Sequence, residues 1–345
     1  MKKEKDMTTN SKLAIGLDLG TMTIVATRSD DKQSSMMRNV FLKLDSDEIP
    51  TSELANISYM KNEDDNSYCI VGNDAFKFAN IFGQEVSRPM ESGLISPKEL
   101  NAIDVLTMMI KTVIGDIKDK DAYVTYSVPA APIDESRSVT YHEKVFGRIL
   151  SSLGLNHKPM NEAMAIIYNE CANEKLSGIG LSFGAGMCNC AVSYKGVEAL
   201  TFSTARSGDW VDRNVAESLD SIINRVTSVK EKHFDLEQSY LTNSNKKIKR
   251  TLEALDYYYR ALISYTVKKI ITEFNDKVEM ELDEPIPIVI SGGTSTPKGF
   301  LDVFKEEIKK YELPFEISEI RITSNTLTSV SNGLMIKTMA DFDLN

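Results

Sequence analysis

The chain has 345 residues, 26% charged and 42% hydrophobic, with 40 Lys and Arg against 50 Asp and Glu for a net charge of −10. This is globular composition: it excludes a collagen-like, disordered or coiled-coil architecture, and it allows two domains of about 100–200 residues each. An acidic surface repels a phosphate backbone and an anionic membrane, so direct nucleic-acid binding is not expected. A chain this long buries roughly 75% of its unfolded surface and needs no disulfide for a core. The cysteines, Cys69, Cys171, Cys188 and Cys190, form no CxxC pair, and the histidines, His142, His157 and His233, are scattered. That usage argues against zinc and fits a reducing cytoplasm.

Residues 1–12 are polar and read as a disordered tail, neither a signal peptide nor a membrane anchor. No apolar run approaches the ~18–20 residues of a transmembrane helix. From Leu13 to Ala26 an apolar strand, a Gly/Thr turn and a second strand read as a hairpin. Residues 44–68 are polar and acidic, with a turn expected at Asp64-Asp65-Asn66. Ile103, Leu106, Ile110 and Val113 predict a helix over 100–116. Ala122 to Val128 is a strand stopped by Pro129, and 134–153 is a helix with Asp134 as its N-cap.

A second hairpin pattern runs from Ile179 to Val192. Laid over the first, Gly16 meets Gly180, Leu17 meets Leu181, Asp18 meets Ser182 and Gly20 meets Gly184, an offset of 164 residues. Two related halves follow from that repeat. Cys188 and Cys190 fall on one face of the returning strand. Beyond it, 209–233 reads as a helix, Asn243-Ser244-Asn245 as a loop and 248–274 as a long helix with Leu252, Leu255, Tyr259, Leu262 and Val267 on one face. Pro287 to Ser291 is a strand ending in Gly292-Gly293-Thr294-Ser295, and 298–311 and 327–341 read as helices. Strands and helices alternate throughout, which argues an α/β protein.

A strand that ends in a Gly/Thr turn presents backbone N–H groups as a nest for phosphate oxygens, although such a turn is equally an ordinary tight hairpin. Two facing turns clamp a triphosphate. Asp18, at the end of its strand, would then hold Mg²⁺ through water, because Mg²⁺ keeps several of its waters.

The order of further motifs resembles the actin/Hsp70/sugar-kinase ATPase superfamily, and within it bacterial actins of the MreB and MamK type, over roughly residues 13–340. Asp18-Leu19-Gly20-Thr21-Met22-Thr23 resembles the first phosphate motif. Arg88-Pro89 with Gly93-Leu94-Ile95 resembles a stretch typical of MreB-like proteins. Ser127-Val128-Pro129 followed by Asp134-Glu135 resembles the first connecting segment, and Asn161-Glu162-Ala163-Met164-Ala165 the EPmaA segment with Ala163 in place of proline. Ser207-Gly208-Asp209 with Asp212 resembles the step that opens the second domain's helix. Val229-Lys230-Glu231-Lys232 is similar to actin's IKEK run, whose Lys and Glu face ribose and adenine. Ile290-Ser291-Gly292-Gly293-Thr294-Ser295 resembles the adenosine motif.

The resemblance implies an actin-like (ribonuclease H-like) two-domain α/β fold with a nucleotide cleft between duplicated domains. Domain I takes residues 13–150 plus 326–345, with a small insertion (IB) at about 35–80; domain II takes 151–325. It implies ATP or ADP with Mg²⁺ as ligands. Asp18, Asp134 and Glu135 would be the catalytic carboxylates, and Asp18 would hold the metal. Gly20, Thr21, Met22, Gly184, Ala185, Gly186, Gly208, Asp209, Lys230, Glu231, Gly292, Gly293 and Thr294 would bind nucleotide.

Three departures bear on activity. The second phosphate motif, usually DxGxGTTD, here reads Ser182-Phe183-Gly184-Ala185-Gly186-Met187-Cys188-Asn189, without its carboxylate or threonines. The glutamate that orients water in MreB aligns near Ser136, so Asp134 or Glu135 would stand in for it. About 15 residues, Leu236 to Arg250, fill the place of the small sheet called IIB, too few for a sheet of 5–6-residue strands. The expected function is a slow ATPase that self-associates into filaments and positions cellular cargo, with a cargo adaptor as a possible partner and no membrane anchor. The alternative is a non-polymerising nucleotide-binding adaptor, a pseudo-ATPase.

Overall fold

A computed structural model describes residues 11–31, 33–47, 57–62, 66–96, 99, 101–117 and 120–344. The apolar residues Leu13, Ile15, Leu17 and Leu19 put one face of β1 (Ser11–Leu19) into a core, and the tight turn after Gly20 folds β2 (Thr23–Arg28) back against it. β3 (Ser35–Arg38) extends that sheet antiparallel to β2. Next comes a three-stranded unit of β4 (Phe41–Asp45), β5 (Tyr59–Asn62) and β6 (Ser67–Val71), covered by α1 (Gly72–Phe82). A two-stranded ribbon, β7 (Met90–Glu91) with β8 (Leu94–Ile95), leads to α2 (Ala102–Ile114). Then β9 (Lys120–Val128) returns parallel to β1, α3 (Thr140–Ser152) crosses over, and β10 (Asn156–Asn161) pairs parallel to β9. The sheet order is β10-β9-β1-β2-β3.

The same path is then repeated. α4 (Glu162–Glu170) leads to β11 (Gly178–Phe183), β12 (Cys188–Tyr194) and β13 (Val197–Thr204), an antiparallel meander. α5 (Gly208–Ser218), α6 (Ile223–His233) and α7 (Lys246–Lys277) follow, then β14 (Ile286–Ser291), α8 (Phe300–Ile308), β15 (Ile317–Ile322) and α9 (Ser329–Asp341). β14 and β15 add in parallel, giving β13-β12-β11-β14-β15. Read from β11 outward, both sheets have one topology, so the repeat at 164 residues is a duplication of architecture. The fold is α/β and actin-like.

Every residue of β11, β12 and β14 is buried, which suits strands covered on both faces. On one face Phe183, Cys190, Phe202 and Ile290 pack against Tyr259, Phe300 and Phe304; each such fully buried large side chain contributes about 1.5–3 kcal/mol. Cys188 and Cys190 both lie on this side. On the other face Ala191 and Val289 meet Ala163, Ile167, Val330 and Leu334, joining α4 and α9 between the sheets.

The packing of α4 and α9 on the sheets and on each other depends on small residues. A Cβ on Gly180 would lie 2.3 Å from the Ala163 carbonyl oxygen, and one on Gly16 would lie 1.9 Å from that of Ser331. A Cβ on Gly333 would come within 1.8 Å of the Ala165 carbonyl oxygen. Hydroxyls finish the seam: Thr338 meets Thr125 at 2.7 Å, and Thr27 meets Ser331 at 2.8 Å. Thus α9, the last helix in the chain, closes onto the first sheet.

Several local expectations change. Ser11 and Lys12 belong to β1, paired with Lys120 and Asp121, because an added parallel strand satisfies their backbone; residues 1–10 lie outside the described residues. Asp64 and Asp65 also lie outside them, while Asn66 has the positive φ of a turn. The helix expected from 134 starts at Thr140, since Asp134 is drawn to the other half instead of capping. The helix expected over 209–233 breaks at Leu219–Ile222, where Asp220 takes a left-handed φ of 47°. Between α6 and α7 lies one 3-10 turn, Ser239–Thr242; residues 205–285 are all described and hold no strand.

Candidate functional site

The carboxyl ends of the parallel strands β1, β9, β10, β11 and β14 converge between the two sheets, where open α/β sheets gather ligand-binding groups. Asp18, near the end of β1, is held from β9: Ser127 Oγ donates to Asp18 Oδ1 at 3.0 Å and accepts from Leu19 N at 2.8 Å. At the end of β10, Asn161 caps α4 by accepting from Ala163 N at 2.9 Å and Met164 N at 3.2 Å. That cap puts Glu162 in the first turn of α4, aimed into the cleft. Asn189 Nδ2 donates to Glu162 Oε1 at 2.6 Å, while Asn189 Oδ1 accepts from Ala130 N at 2.9 Å. Ser182 also bonds to Glu162.

Burial raises both carboxyls above the ordinary range. For Asp18 the Ser127 bond partly offsets this; for Glu162 the charge of Asp18 adds to it, and the bonds from Ser182 and Asn189 oppose it. Two acidic groups in one dry place favour a cation between them. Among the described residues no group of three or more His, Cys, Asp or Glu side chains is placed to hold a metal ion. Two hard oxygen donors still suit Mg²⁺, which keeps most of its waters and takes phosphate oxygens.

The two glycine turns face each other here. A Cβ on Gly186 would stand 2.6 Å from Thr21 Oγ1 and 2.1 Å from Gly93 N, so only glycine permits this approach of the second turn to the first half. Gly20, Thr21 and Met22 form the first turn; Asn39 Nδ2 braces it by donating to Gly20 O at 3.0 Å. The second turn, Gly184-Ala185-Gly186, is closed by Gly184 N donating to Met187 O at 3.1 Å. From behind, Gly208 N donates to Gly184 O at 3.2 Å and Asp209 N to Ala185 O at 2.8 Å. Thr294 Oγ1 reaches Gly184 O at 2.7 Å, and Ser207 Oγ bonds to the same oxygen. Gly208, Asp209 and Thr294 therefore support the second turn, and Gly292 packs on the Phe183 carbonyl at its base. A pocket of about 450 Å³ opens beside Gly293, lined by Thr296, Pro297, Asn325 and Leu327.

Other expected site residues have partners of their own. Asp134 spends both oxygens on the second half, accepting from Ala205 N at 2.8 Å and Tyr265 OH at 2.9 Å. Glu135 pairs with Arg137 at 2.7 Å near the surface. Both line a polar pocket of about 180 Å³ together with Gly186 of the second turn, Arg206, Asp209 and Trp210. Lys230 turns inward, donating to buried Asp212 at 2.8 Å beneath Tyr259. Glu231 turns outward and meets Arg38 of the first half at 3.4 Å, and Arg88 meets Asp209 at 3.1 Å. Two ion pairs thus cross between the halves. Trp210 stands edge-on to Tyr258, packed on the second core.

Glu162 and Asn189 are not among the site residues expected from the motifs. The signal was available: an Asn-Glu step directly after a strand places a carboxylate at that strand's carboxyl end, as Leu17-Asp18 does.

The fold resembles actin-type structures. The MamK double helical filament aligns at 16% identity over 95% of this chain and 99% of that one, with a TM-score of 0.69. MreB 5 of Spiroplasma citri bound to AMPPNP aligns at 16% identity over 96% and 97%, with a TM-score of 0.67. The ethanolamine utilization protein EutJ from Carboxydothermus hydrogenoformans aligns at 16% over 94% and 89%, with a TM-score of 0.54. At that identity the likeness establishes the shared fold. No curated protein matches the chain in sequence. A family description, Volactin, matches residues 13–338, and with that span the chain belongs to the Volactin family.

Proposed function

We propose that the chain is an actin-type ATPase that binds Mg-ATP between its halves, assembles head to tail into filaments and hydrolyses the nucleotide slowly. The observation that carries this is the pair of facing glycine turns above the buried Asp18–Glu162 pair. Similarity to the MamK filament and to nucleotide-bound MreB 5 supports it. Cargo positioning in the cytoplasm, with an adaptor protein linking cargo to filament, is the cellular role that fits; no helix among the described residues is long and apolar enough to cross a membrane.

Backbone N–H groups of the two turns would cradle the phosphates, and Asp18 would hold Mg²⁺ through water. Bound there, Mg²⁺ neutralises charge on the β- and γ-phosphates. Glu162 replaces Asp134 and Glu135 as the candidate base, because it is the carboxylate next to Asp18. Its raised pKa suits accepting the proton of the attacking water as oxygen bonds to the γ-phosphorus and the bond to the ADP oxygen breaks. Ser182 supplies no second charge, which keeps turnover low and favours, as a second reading, a nucleotide-binding adaptor that does not polymerise.

The test is sedimentation and negative-stain microscopy with Mg-ATP, Mg-ADP or no nucleotide, with phosphate release measured in parallel. Filaments that require Mg-ATP, together with a fall of about 100-fold in phosphate release for Glu162→Gln, are expected. A chain that binds Mg-ATP yet stays monomeric well above micromolar concentration selects the adaptor.

A further inference from the structure

The 32 residues of α7 span roughly 48 Å at about 1.5 Å each and give the second half two chemically opposite ends. Near mid-helix Tyr259 meets Phe234 and Phe300, and Tyr265 reaches Asp134 beside the cleft. Further along, Phe274 packs on Phe315, and the chain then reaches the foot of the sheet where β14 opens. The first turns of α7 therefore project beyond the cleft, and its last turn lies at the far pole.

The projecting end is basic. Lys246, Lys247 and Arg250 are exposed and make no ion pair among the described residues; Lys249 folds back to donate to Leu241 O at 3.0 Å. Leu241 itself is exposed beside them, and the first acid along the helix is Glu253. The far pole is acidic. Asp276, Glu279 and Glu281 are exposed and make no ion pair among the described residues. Asp283 and Glu284 are exposed too, but feel Lys195, and Lys175 meets Glu284 at 3.7 Å; Lys277 is taken by Glu273. Met280 and Val197 stand exposed at this pole.

We propose that these poles are the two complementary faces of a head-to-tail contact between copies of this chain, the basic start of α7 in one copy seating on the acidic end of the next. The inference rests on the assembling function proposed above and names its surfaces. A contact between two different patches does not close on itself and propagates into a filament. Opposite charges set register and speed encounter, while Leu241, Met280 and Val197 give the centre apolar area. A projecting helix thereby supplies an axial contact where the chain builds no second small sheet.

Two surface variants of the full chain test this: Lys246→Glu/Lys247→Glu/Arg250→Glu, acidic at both poles, and Glu279→Lys/Glu281→Lys/Asp283→Lys, basic at both. All six positions are exposed, and circular dichroism checks that each variant is folded. Each alone should need at least tenfold more protein than the wild type to pellet with Mg-ATP. An equimolar mixture should pellet again, since each basic pole then finds an acidic one. Either variant pelleting like the wild type, or a mixture that stays soluble, overturns the assignment of the poles. A wild-type chain that never pellets instead defeats the filament reading on which the assignment stands.

Discussion

In the first half the strand before the glycine turn carries Asp18, opposite Val25 across its hairpin; in the second half Ser182 holds that station, opposite Asn189. One sheet topology therefore presents two chemistries to one cleft. A carboxyl stands beside that station from outside the hairpin: Glu162, at the start of α4, lies against Ser182 and Asn189, both of which bond to it. The halves differ likewise in what they add. The first inserts the three-stranded unit of β4 to β6, whereas the second extends α7 and adds no strand. A duplicated scaffold fixes where strand ends meet and leaves free which residue carries the charge.

Five substitutions would break or sharpen that comparison. The largest effect is expected where the halves agree. Gly16→Ala and Gly180→Ala each press a methyl into a helix carbonyl, and each should cost about 3 kcal/mol in urea unfolding. Unequal costs would mean that one half relaxes around α9 or α4 and the other does not.

The next change exposes a difference. Only the first half buries a histidine without partners: both ring nitrogens of His142 are unbonded, and burial lowers its pKa from 6.5 to about 4. The unfolded chain then binds the extra proton, so stability is full above pH 6.5 and declines as pH falls toward 4, by up to about 3 kcal/mol. His142→Leu should remove that slope in equilibrium unfolding between pH 7 and 4; an unchanged slope would place the acid sensitivity elsewhere.

Ser182→Asp makes the two hairpins alike. It adds a third buried carboxylate beside Glu162, which should cost about 2 kcal/mol without metal. Melting with and without Mg-ATP should show the loss recovered by nucleotide, along with faster phosphate release. Equal melting temperatures in both conditions would detach this position from the cleft. Smallest of all is Arg38→Ala, which removes the partly exposed pair with Glu231 between the halves. It should change stability by about 0.5 kcal/mol or less, read by the same urea titration.

Much of this was legible in the chain itself. The hairpin repeat, the glycine positions and the apolar faces are local patterns of period two and 3.6, so Gly16 over Gly180 is legible in the chain alone. The long helix and the absence of a sheet between α6 and α7 were legible too, one from periodicity and the other from chain length. Local pattern misplaced what depends on a partner. Asp134 looked like a helix cap, yet it satisfies Ala205 and Tyr265 from the other half. Lys230 looked available for a ribose, yet Asp212 holds it inward.

The sequence by itself determined the duplicated α/β architecture and the two turns that face the cleft, because strand and helix periodicity and the glycine demands of a tight turn act within a few residues of chain. Only the tertiary structure decided which carboxylate stands beside Asp18. Asp134, Glu135 and Glu162 are all acidic residues following a strand, and nothing local separates them. Burial at converging strand ends, and competition for hydrogen-bond partners far apart in sequence, tied Asp134 to Tyr265 and set Glu162 beside Asp18.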